Sequence, residues 1–131
     1  MRKNSIPQLL GALVLLASSA TAYAAGNHAH DHKPLHGGVV AESNDMDYEL
    51  VAQPDTITLH VRDHGKPVSV QGASARLTLL QGAEKSEVVL APNNEGVLQS
   101  KGSFKVAAGT KVVALVTLPG KKAANVRFVI K

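Results

Sequence analysis

Cysteine is absent from the chain. That excludes disulfide staples, thiolate metal centres, thiol catalysis and a lipid-bearing amino-terminal cysteine, so the fold must stand on apolar packing alone. Tryptophan is absent too, and the only aromatic residues beyond Tyr23 are Tyr48, Phe104 and Phe128. So few rings leave base stacking little to work with, and nucleic acid is not an expected partner. Met46 is the one methionine past the initiator, which removes a methionine-rich Cu(I) site. Neither a nucleophile elbow nor a phosphate-cradling glycine loop occurs, so no enzyme activity is expected.

What is present begins with a stretch that reads as an export signal. Arg2 and Lys3 form a positive start, Leu9 to Ala17 a short apolar run, and Ala22-Tyr23-Ala24 a small-x-small cleavage site. Cleavage is expected after Ala24. The apolar run falls short of the roughly 20 residues a membrane span needs, so no insertion is expected once the leader (1–24) is removed. The formal net charge of +4 loses two units with Arg2 and Lys3, and the remaining lysines are scattered. The processed chain is expected to be a soluble periplasmic protein of single-domain size.

From residue 39 onward the pattern is β. Val39 to Glu42 reads as a first strand, and Asn44-Asp45 as a turn. In Met46 to Ala52, Met46, Tyr48, Leu50 and Ala52 share one face and Asp47, Glu49 and Val51 the other. Thr56 to Arg62 points Ile57, Leu59 and Val61 inward and His60 outward. Asp63-His64-Gly65-Lys66-Pro67 follows as a tight turn. Further strands are expected at Val68 to Val70, Ala75 to Leu80, Glu87 to Leu90, Val97 to Ser100, Phe104 to Ala107, Lys111 to Leu118 and Asn125 to Ile130. Lys111 to Leu118 has so little polar surface that it should lie centrally. The expected fold class is all-β: an antiparallel immunoglobulin-like β-sandwich over 39–131, with a barrel as the alternative.

The chemistry concentrates before the first strand. His28, His30, His32 and His36 are four of the six histidines, lying in a polar arm over 25–38 without helical or strand periodicity. Alternate histidines in an extended chain project to one side about 7 Å apart. A flexible arm can also curl them around one ion with Asp31. These residues are candidate ligands for Zn²⁺, Cu²⁺ or Ni²⁺; the alternative is a histidine-rich linker. Cleavage after Ala25 instead of Ala24 would place His28 third, completing a square-planar amino-terminal site for Cu²⁺ or Ni²⁺. His36-Gly37-Gly38 reads either as a fixed bend or as a loose joint. If the Met46 and Thr56 strands pair, Glu49 and His60 share the outer face with His64 at its end, a carboxylate-imidazole cluster within the arm's reach.

Three pieces of this sequence carry a resemblance: His36-Gly37-Gly38-Val39-Val40, then Tyr48-Glu49-Leu50-Val51, then Leu59-His60-Val61-Arg62-Asp63-His64-Gly65-Lys66-Pro67-Val68. Together they resemble small periplasmic proteins associated with heavy-metal resistance and the periplasmic metal-binding region of heavy-metal efflux adaptor (membrane-fusion) proteins. The resemblance implies handling of divalent or copper ions, in association with a periplasmic component of an efflux system. By position His36, Glu49 and His64 match the pattern. The chain lacks the long hairpin and lipoyl-like segments of a full adaptor, so it is not expected to bridge a pump itself. The expected function is metal binding or buffering accessory to efflux, with His28, His30, His32, His36, Glu49, His60 and His64 as ligands; the alternative is an envelope interaction module that docks through its sheet surface.

Overall fold

The computed structural model describes residues 33–131. The expected leader (1–24) and His28, His30 and His32 lie outside the described residues. Nine strands follow one another: β1 (Val39–Ser43), β2 (Met46–Ala52), β3 (Thr56–Asp63), β4 (Lys66–Pro67), β5 (Ser74–Gln81), β6 (Glu84–Pro92), β7 (Leu98–Lys101), β8 (Lys111–Thr117) and β9 (Ala124–Val129). All pairings are antiparallel. Among the described residues, no helix is long and apolar enough to cross a membrane.

The strand order is β1-β2-β3-β7-β6-β5-β8-β9, with the two-residue β4 folded back on β3. A corner in β6 makes this one continuous sheet. Its residues through Leu90 pair with β5, whereas Ala91 and Pro92 pair with Gln99 and Leu98 of β7. At the opposite side β1 lies against β9, the two ends of the order. The sheet therefore nearly closes into a barrel, the form that the strand pattern had left as the alternative to a sandwich. Near-closure shields most of the edge hydrogen-bonding groups that an open sheet would expose.

Alternation builds the interior. Tyr48 and Leu50 of β2, Ile57 and Leu59 of β3, Leu77 of β5, Leu90 of β6, Leu98 of β7, Val112, Ala114 and Val116 of β8, and Val126 and Phe128 of β9 meet in one apolar cluster. Burying each such side chain contributes roughly 1.5–3 kcal/mol relative to exposure, enough for a cysteine-free fold. Two hairpins fix the register of the first three strands. Asn44 and Asp45 between β1 and β2, and His64 and Gly65 between β3 and β4, all have positive φ. Two successive left-handed residues make the turn whose twist matches that of paired strands.

Three stretches differ from the sequence-based expectation. Val68 to Val70 is not a strand, because the His64-Gly65 turn returns the chain at once and Lys66–Pro67 pairs with β3 in its place. Phe104 to Ala107 is not a strand either. The Gly102 N–H donates to the Asp55 carbonyl and the Phe104 N–H to the Pro54 carbonyl, tying this stretch to the β2–β3 turn. Strand β8 is flanked by β5 and β9, yet it alternates buried and exposed residues, with Leu115 facing out at 41% exposure. A barrel has one interior, so an apolar run within it still presents one face outward.

Candidate functional site

The β2–β3 register places Glu49 opposite His60 and Asp47 opposite Arg62. β1 continues these rows with Val40 beside Glu49 and Glu42 beside Asp47. Side chains directly opposite each other share a face, so Glu42, Asp47, Glu49, His60 and Arg62 all stand on the outside of the β1–β3 sheet. The anticipated pairing of Glu49 with His60 is thus present. Although outward, this face is not open to water at its centre: Glu49 is 0% exposed and Arg62 4%.

Residues 33–38 account for that burial, for they fold back over the outer face. Glu49 accepts four charge-assisted hydrogen bonds, three of them from this segment and one from Arg62. Its Oε1 accepts from the Leu35 N–H at 2.8 Å and from Arg62 Nη1 at 2.9 Å. Its Oε2 accepts from the His36 N–H at 2.7 Å and from the Gly38 N–H at 3.0 Å. Arg62 Nη2 in turn donates to the Lys33 carbonyl at 3.2 Å. An ionised carboxylate has about four lone-pair positions, and here each oxygen receives two donors. Burial pushes the Glu49 carboxyl up, but the bonds from Leu35, Gly38, His36 and Arg62 together outweigh that and hold it below the ordinary carboxylate value.

At His36-Gly37-Gly38 the chain bends with the N–H groups of His36 and Gly38 both bonded to Glu49, the arrangement that the fixed-bend reading calls for. Gly37 has φ +72°, a conformation that favours glycine. Gly38 passes so close to β2 that an added Cβ would lie 2.3 Å from the Leu50 carbonyl oxygen. No side chain larger than hydrogen fits there without moving the backbone.

The latch sets His36 on His60. Their ring centroids are 3.6 Å apart and their planes 6° from parallel. The basicity of the His60 ring is lowered, first by burial and then by His36; Glu49 pulls the other way, and Arg62 adds a last, smaller lowering. Its neutral form, which carries a free lone pair, is therefore favoured at neutral pH. Two nitrogens bound to one tetrahedral ion at about 2.0–2.1 Å sit roughly 3.3 Å apart. The 3.6 Å here separates ring centroids in a face-to-face stack whose in-plane lone pairs run side by side; to share one tetrahedral ion each ring must swing by roughly 55° out of the stack, a rotation of the side chains that leaves the two backbones where they are.

Of the other sequence-derived candidates, His64 and Glu49 fall within the described residues. His64 sits at the β3–β4 turn, with Nδ1 against the Asp63 carboxylate and most of its side chain exposed. It lies four residues beyond His60, roughly 13 Å along an extended strand. Glu49 is adjacent to the histidine pair, but with its oxygens engaged by four donors it acts as the anchor of the segment that carries His36. Among the described residues, no three histidine, aspartate or glutamate side chains form a group that could hold a metal ion. Arg62 was missed as a member of this site. Its signal was an arginine two residues from His60 on a face that also carries Asp47 and Glu49. No protein-family model, curated protein or solved structure matches the chain.

Proposed function

We propose that this protein binds and buffers divalent d-block metal ions, Zn²⁺, Cu²⁺ or Ni²⁺, outside the cytoplasm, as a non-catalytic periplasmic accessory to heavy-metal efflux. The observation that carries this reading is the His36–His60 pair, two imidazoles face to face at 3.6 Å. Imidazole nitrogen is the common protein donor for these three ions, and a ring with lowered basicity keeps its lone pair available at neutral pH. Two donors do not saturate an ion that takes four. His28, His30 and His32 precede the pair in sequence and supply imidazoles of the same kind. A site filled from a fixed pair and a histidine-rich run suits capture and release better than permanent structural binding. The resemblance of the His36, Glu49 and His64 segments to heavy-metal-resistance proteins supports the same reading.

Calorimetric titration of the purified protein at neutral pH with each ion tests it. The expected result is saturable binding of at least one ion, weakened both by His36→Ala/His60→Ala and by His28→Ala/His30→Ala/His32→Ala. Absence of binding for all three ions would overturn it.

A second reading, docking of an envelope partner on the sheet surface, draws support from the opposite side of the barrel. There Val89 of β6 and Leu115 of β8 stand in one cross-strand row on either side of Arg76 of β5. They are 61% and 41% exposed. Partner binding that survives loss of all six histidines, in a protein that binds no metal, would favour this reading.

A further inference from the structure

A carboxylate on the outside of a sheet is normally hydrated, and taking it out of water without compensation is costly. Glu49 is nevertheless fully buried, and it shares that burial with Arg62. Three of its four donors are backbone N–H groups of Leu35, His36 and Gly38, a segment that belongs to no strand. The guanidinium spans the same two parts, bonding Glu49 with one nitrogen and the Lys33 carbonyl with the other. All of these bonds but the one between Arg62 and Glu49 tie residues 33–38 to β2 or β3. Apolar anchoring contributes little, since the Leu35 side chain is 65% exposed. What the latch delivers is the position of one ring: the N–H of His36 is itself a donor to Glu49, and its imidazole lies over His60.

We propose that Glu49 and Arg62 are positioning residues of the metal site, holding the backbone of residues 33–38 so that His36 stays beside His60 and the two imidazoles need only swing out of their stack to share an ion. The proposal rests on the metal-binding reading above. It assigns the carboxylate that the family pattern offers as a ligand to a supporting role, and it makes affinity depend on a buried ion pair that touches no ion. Without the latch, the backbone of residues 33–38 is no longer tied to β2 and β3, and two donors must be brought together at the moment of binding.

The test uses the full chain carrying His28→Ala, His30→Ala and His32→Ala, so that only the latched pair and His64 remain, and compares it with the same chain bearing Glu49→Gln or Arg62→Lys. Glu49→Gln keeps the shape but turns an amide NH₂ toward backbone donors. Arg62→Lys keeps the charge, leaves the sheet intact if Glu49→Gln misfolds, and removes the two-pronged bridge to Lys33. Two readouts are taken: the nuclear Overhauser effect between the His36 and His60 rings in metal-free protein, and Zn²⁺ and Cu²⁺ affinity by calorimetry. Both variants are expected to lose the ring-to-ring signal and to bind about 10- to 100-fold more weakly, the range typical of groups that orient ligands. Persistence of the ring signal in folded variants overturns the positioning role, and so does its loss with unchanged affinity. Failure of the parent chain to bind either ion, with its rings still in contact, overturns the metal reading itself and the proposal with it.

Discussion

The two halves of the barrel wall share an interior but differ on the outside. Over β5, β6 and β8 the outward residues meet solvent, Val89 and Leu115 among them. Over β1, β2 and β3 the same alternation puts Glu49 and Arg62 outward, yet both are buried because residues 33–38 fold across them. Strand pattern alone does not separate the halves. A short non-strand segment converts one outer face into a second, polar interior, and that is where the candidate chemistry gathers.

The largest effect that would sharpen this contrast comes from Glu49→Ala. It leaves Arg62 buried without its carboxylate and three backbone N–H groups without an acceptor, so the loss of stability should be about 3–5 kcal/mol in urea unfolding. Arg76→Ala, at an outward position of β5, should change stability by no more than about 0.5 kcal/mol. Similar losses for the two variants would erase the distinction between the halves.

Next in size is Gly38→Ala. An added methyl meets the Leu50 carbonyl oxygen at 2.3 Å, so the segment must lift from β2. The expected cost is about 1–3 kcal/mol, typical of overpacking, together with loss of the His36–His60 contact. An unchanged ring pair in this variant would mean that the latch tolerates backbone movement.

A smaller effect follows acidification. His60 has a lowered pKa in the fold, so below its ordinary value of 6.5 the unfolded chain takes up a proton that the folded chain does not. Stability therefore falls as pH drops through that value toward the folded one. Glu49, also lowered, adds a second loss as pH falls below its ordinary 4.5. Urea midpoints measured from neutral pH downward should show both declines, with His60→Gln flattening the first and Glu49→Gln the second. A profile unaltered by either substitution would contradict the lowered values.

Least affected should be the exposed half. Val89→Thr and Leu115→Thr are expected to leave both stability and metal binding within error, about 0.5 kcal/mol for stability. Loss of an envelope partner in these variants would instead strengthen the docking reading.

How far the sequence leads is visible in particular residues. Period-two alternation located the strands, and Asn44-Asp45 and His64-Gly65 marked the hairpins that set the β1–β3 register. From that register the meeting of Glu49 with His60 follows directly. The latch itself was not legible. Residues 33–38 carry no periodicity, and their bonds are made by backbone N–H groups and the Lys33 carbonyl, groups that side-chain identity does not advertise. Arg62 was hidden for a related reason: an outward charge on a strand ordinarily means water, and only the covering segment changes that. Phe104 to Ala107 shows the converse, a strand-like composition whose backbone partners turned out to be a turn.

The most direct test of the central claim is a Zn²⁺ titration at neutral pH followed through the imidazole ¹H and ¹⁵N signals of His36 and His60. The expected result is that both rings respond together and saturate at a common ion concentration while the inward residues of β5 and β8 stay unperturbed. Both rings remaining unshifted in folded protein under saturating Zn²⁺, Cu²⁺ and Ni²⁺ in turn would contradict it.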